Sequence, residues 1–162
     1  MTNSPESLTS LKDGVYAAKD HPIIVFRGAL DSLEADILEA QIMASQCNEG
    51  WYVNALQETL DFARELMSAE VNERPVARDK LFGRSLDELR ALSHEARAPM
   101  PDYSMGALPV KLNTLRTRVR ETEIAAIRAF NDAGRADIIR ALNRLSSALY
   151  WLYCQSVLSL SD

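Results

Sequence analysis

In the stretch RADIIRALNRLSSALYWLYCQS, Ile138, Leu142, Leu145, Leu149 and Leu152 recur at spacings of four and three. That is the period of one buried stripe on an α-helix, and no strand could keep these side chains on one face. The pattern recurs along the chain. Leu33, Ile37, Ala40 and Ala44 form a second stripe, and Leu56, Leu60, Ala63 and Met67 a third. Leu112, Leu115, Val119, Ala126 and Phe130 form a fourth. Several long amphipathic stripes joined by short breaks predict an all-α protein, an up-and-down bundle of four or five helices.

The punctuation sets the boundaries. Asp31 or Ser32 is the expected N-cap of a first helix reaching about residue 46, where Asn48-Glu49-Gly50 breaks it. A second helix is expected over residues 51–71. Ser85 and Glu88 have capping-box spacing ahead of a short helix, followed by a loop restricted by Pro99 and Pro101. Ser104 or Gly106 opens a long helix through residue 130, with Pro109 in its first turns, where a missing donor costs least. After a turn over residues 131–134, a last helix is expected over about 135–160. Ahead of the first helix, KDHPIIVFRGAL reads as a short strand or an arm over the core. The chain thus divides into an N-terminal arm, residues 1–29, and a helical bundle, residues 30–162, together one domain.

A length of 162 residues suits a single core, and the net charge of -5 argues against a nucleic-acid partner. No segment has the ~20 apolar residues that span a bilayer. The first residues lack a basic lead-in and an apolar run, so a cytosolic protein is expected. Cys47 and Cys154, far apart and outside any metal-type spacing, read as free thiols.

Two helices carry residues that a core does not need. Arg116, Arg120, Glu123 and Ile127 run beside the fourth stripe. Such a face can be solvated and laced by ion pairs of ~0.2–0.5 kcal/mol each. However, no carboxylate separates Arg116, Arg118 and Arg120, and they repel one another unless an anion is supplied. A triphosphate suits arginine's planar fork. In the last helix, Asn143 and Arg144 interrupt the leucines, with Ser147 four residues after Asn143 and Arg140 four before Arg144. Asn143 reads either as a polar register pin between helices or as an amide offered to a nucleotide.

VRETE in one helix and ALNRLSSALYWL in the next, with the arm KDHPIIVFRGALDSLEA, resemble the cobalamin adenosyltransferases, specifically the ethanolamine-utilisation type. The likeness runs over residues 8–158. The resemblance implies a homotrimeric bundle that binds ATP between subunits. It transfers the 5'-deoxyadenosyl group to cob(I)alamin, giving adenosylcobalamin and triphosphate. It also implies the site. Lys19 reaches the phosphates from the arm; Arg116, Arg120, Glu123, Asn143 and Arg144 bind ATP; Arg120 and Asn143 serve catalysis. Asp31 pairs with Arg120 across a subunit boundary, and Mg accompanies ATP by way of Glu123, with no dedicated metal site. For the corrinoid, Phe82, His94 and Tyr103 are the candidates. A corrinoid reductase or an adenosylcobalamin-dependent enzyme is the implied protein partner, and a bacterial microcompartment a conceivable location.

There are departures from the family pattern. NSPES stands where propanediol-type relatives have a glycine-rich phosphate loop, Ile124 replaces an arginine, and Ser147 replaces an aspartate. The His- and Cys-bearing N-terminal metal region of the ethanolamine type has no counterpart in this sequence, and the loop from His94 to Ser104 is short. These changes leave room for an alternative: a non-catalytic homologue that holds ATP or adenosylcobalamin for delivery or sensing.

Overall fold

The computed structural model describes residues 5–131 and 134–158. Among the described residues five α-helices make the fold, as the stripes require: α1 (Pro22–Gln46), α2 (Gly50–Val71), α3 (Leu86–Glu95), α4 (Ala107–Phe130) and α5 (Ala136–Leu158). Two small hairpins accompany them. β1 (Leu8–Lys12) pairs antiparallel with β2 (Val15–Ala18), and β3 (Lys80–Leu81) with β4 (Arg84–Ser85).

The arm is shorter than residues 1–29, because α1 begins at Pro22 and runs straight through the expected boundary. Ile23, Ile24 and Val25 favour strands in isolation. Phe26, Leu30 and Leu33, all fully buried, extend the period of Ile37 and Ala40 backwards, and burial of that stripe outweighs local propensity. His21, rather than Asp31 or Ser32, is the cap. Its Nδ1 accepts from the Ile23 amide at 3.3 Å, and Pro22 occupies the first turn, where no donor is needed. Residues 8–18 ahead of it form a hairpin around Asp13-Gly14, with Gly14 at φ 73°.

The other boundaries match within a residue or two. Ser85 Oγ accepts from the Glu88 amide, and Glu88 returns a carboxylate to the Ser85 amide, so the capping box forms. Gly106, with φ 91°, opens α4, a backbone angle only glycine adopts without strain. Positions 132, 133, 159 and 160 of the expected turn and last helix lie outside the described residues.

Cross-helix contacts give the directions. Lys111 meets Asp36 and Phe130 meets Phe26, so α1 and α4 are antiparallel. Gln41 meets Gln57 while Arg27 meets Glu70, so α1 and α2 are too. Glu123 with Asn143, and Arg116 with Tyr150, make α4 and α5 antiparallel. α3 lies along α5 in the same direction, because Asp87 reaches Arg140 and Arg144 while Pro99, just beyond α3, accepts from Tyr153. Leu33, Leu60, Leu112 and Leu145 fill the common core at 0–2% exposure.

The β1–β2 hairpin is anchored by one arginine. Arg27 Nη1 donates to the Leu11 carbonyl at 2.7 Å while its Nε holds Glu70, itself 7% exposed, at 2.7 Å.

A second clamp gives the fold an acid sensitivity. Arg74 grips Glu65 through both its outer nitrogens, at 2.7 and 2.8 Å, and the Ala77 amide adds a third bond. The Arg74 hydrogen bond, against the opposing effect of burial, holds the Glu65 carboxyl at about 2 instead of 4.5. A depressed folded pKa means the unfolded chain takes the proton first. Glu65 therefore stabilises fully above about 4.5, and that share fades as pH falls toward about 2. In urea denaturation, the gap between wild type and Glu65→Gln should be widest near neutral pH and close progressively at acid pH. A gap independent of pH would refute the assignment.

Candidate functional site

Of the polar residues picked out in the sequence, Arg116, Arg120, Glu123, Asn143 and Arg144 gather along one seam, where α4 meets α5. Helical geometry dictates the two rows. On α4, Arg116, Arg120 and Glu123 follow one another at spacings of four and three, one step around from the buried Leu115, Val119 and Thr122. On α5, Asn143, Ser147 and Tyr150 do the same beside Leu142, Leu145 and Leu149. Antiparallel packing sets Glu123 opposite Asn143, whose Nδ2 donates to Glu123 Oε1 at 3.2 Å. One to two turns along, the Arg116 guanidinium lies 6.0 Å from the centre of the Tyr150 ring and takes a further bond from its Nε to Asn113 Oδ1 at 3.2 Å. Arg144 Nη1 donates to Asn143 Oδ1 at 2.9 Å. Ser147 Oγ reaches only the backbone, at 3.5 Å from the Asn143 carbonyl.

Arg120 is exposed, and among the described residues no carboxylate pairs with it or with Arg116. Arg118 does not share this property. Two positions along a helix rotate a side chain to the far side, and Arg118 there meets Asp36 at 2.8 Å and Glu121 at 2.7 Å. The expected triple cluster is therefore a pair: Arg116 and Arg120 have no carboxylate partner among the described residues, and Arg118 is neutralised by its own chain.

Asp87 was not singled out in the sequence. It stands in the first turn of α3, placed there by the capping box, and takes Arg144 Nε at 2.7 Å and Arg140 Nη2 at 3.0 Å. The Arg144 hydrogen bond is the main reason its carboxyl stays below the usual range. Beside it a cleft of about 380 Å³ opens between α3 and α5, lined by Arg78, Asp79, Asp87, Asp137, Arg140 and Arg144. Tyr150 was also missed. Burial, followed by its bond with the Cys154 thiol, pushes its hydroxyl upward, so the ring serves as a neutral platform at physiological pH.

Lys19 lies elsewhere in the same chain. It is exposed, just ahead of α1, at the end of the bundle where Phe26 meets Phe130. Arg120 is ten residues from Phe130, about 15 Å of helix. Asp31 is exposed on the outer face of α1, and among the described residues it has no bond to Arg120.

The three corrinoid candidates are dispersed. Phe82 belongs to an aromatic group, stacked on Trp151 at 6.1 Å and 6.4 Å from Trp51. It sits at the tip of the β3–β4 hairpin with φ 54°, next to Gly83 at φ 73°. That backbone is unfavourable for a bulky side chain and is held here by ring packing. Arg84 lies over the Trp151 ring at 5.9 Å. His94 is exposed in the last turn of α3, and Tyr103 is 90% exposed in a single 3-10 turn. Among the described residues, Tyr103 makes no ring contact with the aromatic group. Trp51 and Trp151 went unremarked in the sequence, although a tryptophan just after a helix-breaking Gly50 is a usable signal for an exposed aromatic.

Among the described residues, no group of three or more His, Cys, Asp or Glu is placed to hold a metal ion, and no helix is long and apolar enough to cross a membrane.

The model of the cobalamin adenosyltransferase family matches residues 2–156. A corrinoid adenosyltransferase EutT of Salmonella typhimurium is 34% identical over 167 aligned residues, covering 97% of this chain and 61% of the relative. The protein of that name from Escherichia coli (strain K12) is 32% identical with the same coverage. The chain spans about three fifths of the length of the curated relatives it matches. With a helical bundle and a match from one end to nearly the other, this chain belongs to the cobalamin adenosyltransferase family.

Proposed function

We propose that this chain binds ATP on the α4–α5 seam and transfers its 5'-deoxyadenosyl group to a reduced corrinoid, releasing triphosphate. One observation carries the reading. Arg116 and Arg120 lack carboxylate partners among the described residues, beside an Asn143–Glu123 pair on the same seam. The reaction demands little proton transfer. Reduced cobalt attacks C5' of the ribose, the C5'–O bond breaks, and the electron pair leaves on the triphosphate. The protein's task is to hold nucleophile and leaving group in line and to stabilise the growing negative charge. Arg116 and Arg120 do the latter, with Arg144 and Asn143 alongside. Glu123 is a single carboxylate, which fits a Mg ion that arrives on the phosphates and keeps most of its waters.

Lys19 completes the site from a neighbouring copy, since in its own chain it lies beyond the end of the bundle. The surface supports assembly. Asp31, Leu38 and Ile42 share the outer face of α1, and Ile124 and Ile127 flank Arg120 on α4. Leu38, Ile42 and Ile124 are 43–58% exposed. A homotrimer that buries these faces would bring Asp31 of one copy to Arg120 of the next. The aromatic group of Trp51, Phe82 and Trp151, with Trp51 inclined to the other two rings, offers an apolar contact for a corrin ring.

The activity is tested by mixing the protein with Mg-ATP and chemically reduced cobalamin and following the corrin spectrum. A cobalt–carbon product forming no faster than without protein would refute the transfer. Tight ATP or adenosylcobalamin binding without turnover would indicate the delivery or sensing alternative. Arg120→Ala should weaken ATP binding by about tenfold or more, the worth of one charge-assisted hydrogen bond. It should also shift the trimer toward smaller species in light scattering. An unchanged mass would remove the bridging role and leave the nucleotide role standing.

A further inference from the structure

Among the described residues Asp87 has no hydrogen bond to Asn143 or Glu123, yet an unbroken hydrogen-bonded series joins it to both. Asp87 Oδ1 accepts from Arg144 Nε at 2.7 Å, Arg144 Nη1 donates to Asn143 Oδ1 at 2.9 Å, and Asn143 Nδ2 donates to Glu123 Oε1 at 3.2 Å. The series crosses three helices, α3, α5 and α4. We propose that Asp87 is a positioning residue: by clamping Arg144 it fixes which way the side-chain amide of Asn143 faces. This rests on the seam being the adenosyl-transfer site.

The chemistry of the partners gives the series one polarity. A guanidinium only donates and an ionised carboxylate only accepts, whereas an amide does both from opposite ends. Asn143 must therefore turn its oxygen to Arg144 and its NH2 to Glu123. The reverse orientation would set donor against donor and acceptor against acceptor. With Arg144 displaced, the oxygen end loses its donor and only the longer bond to Glu123, at 3.2 Å, holds the amide. Arg140 and Arg144 are four residues apart on one helix face and repel. Asp87 bridges the two and offsets part of that repulsion, with Oδ2 on Arg140 at 3.0 Å and Oδ1 on Arg144. Its grip on Nε leaves Nη1 aimed at Asn143. The side chain of Arg144 is only 14% exposed, so it has little room to find the amide by another route.

Asp87 is not needed merely to hold α3 down. Leu89 is fully buried, Ser93 nearly so, and the capping box is made by Ser85 and Glu88. Losing the Asp87 charge leaves all of that intact.

The test uses the full chain with Asp87→Asn, Asp87→Glu, Asn143→Ala and the double variant Asp87→Asn/Asn143→Ala. Asp87→Asn should lower kcat/KM for corrinoid adenosylation about tenfold, as small misplacements of a reacting assembly do, and Asp87→Glu should recover most of it. In the Asn143→Ala background, Asp87→Asn should add less than about twofold, because its target is already gone. Losses that multiply would overturn the proposal. A second measurement needs no turnover: the side-chain NH2 resonances of Asn143 in the 15N spectrum, assigned by their absence in Asn143→Ala. Asp87→Asn should move them toward the values of a free, rotating amide, and unchanged resonances would overturn the proposal. If the wild-type chain fails to adenosylate, the functional reading falls on that result, while the amide resonances still decide whether Asp87 orients Asn143.

Discussion

Asn143→Ala should lower adenosylation by roughly a hundredfold while leaving the melting temperature within a few degrees of wild type. The activity loss is the expected scale when a group that places a reacting partner is removed. The small stability change follows from exposure. Asn143 lies outside the leucine seam, and its bonds to Glu123 and Arg144 are open to water, so their loss amounts to ~1 kcal/mol. Steady-state kinetics and calorimetric melting of the same preparation check both halves. A large fall in melting temperature would instead make Asn143 a register pin between α4 and α5.

One position earlier the expectation reverses. Leu142→Ala should destabilise the fold by about 3 kcal/mol, a large share of the ~5–15 kcal/mol that holds a domain together. For a chain of this size the melting temperature should drop by roughly 10 °C. Leu142 is fully buried between α5 and the rest of the bundle, and truncation removes methyl groups that nothing else in a packed core can replace. Surviving folded protein below the transition should keep near-normal kcat, because the Leu142 side chain is wholly buried in the core and is not part of the polar row. A mild stability loss would mean that the neighbouring helices collapse into the space.

The contrast between Leu142 and Asn143 shows what was legible in advance. The leucine period is a local property of one helix, so the buried row, and with it the helical bundle, could be read directly. α1 was misjudged over residues 22–30 because Ile23, Ile24 and Val25 have strand propensity. Only the continuation of the buried row through Phe26 and Leu30 reveals the helix. The β1–β2 hairpin was missed although Asp13-Gly14 is a turn signal, because the strands beside it are short and mostly exposed.

The site divides in the same way. Arg116, Arg120, Glu123 and Asn143 stand out in the sequence because resemblance and helical spacing both mark them, and the structure brings Glu123 and Asn143 within 3.2 Å of each other. Arg118 was wrongly grouped with them, since closeness in sequence ignores the rotation that takes it to Asp36. Asp87 could not be found from spacing. Its two arginines come from a helix more than fifty residues later, and an acidic residue in the first turn of a helix looks like ordinary dipole compensation.

By itself, then, the sequence determined which faces are apolar and which residues carry charge, because both depend on intervals of three and four along a single helix. Only the tertiary structure decided which charges meet. It paired Arg118 with Asp36 and Arg144 with Asp87, and left Arg116 and Arg120 without carboxylate partners among the described residues. That outcome depends on how α1, α3 and α5 are laid against α4, and no periodicity within one segment encodes it.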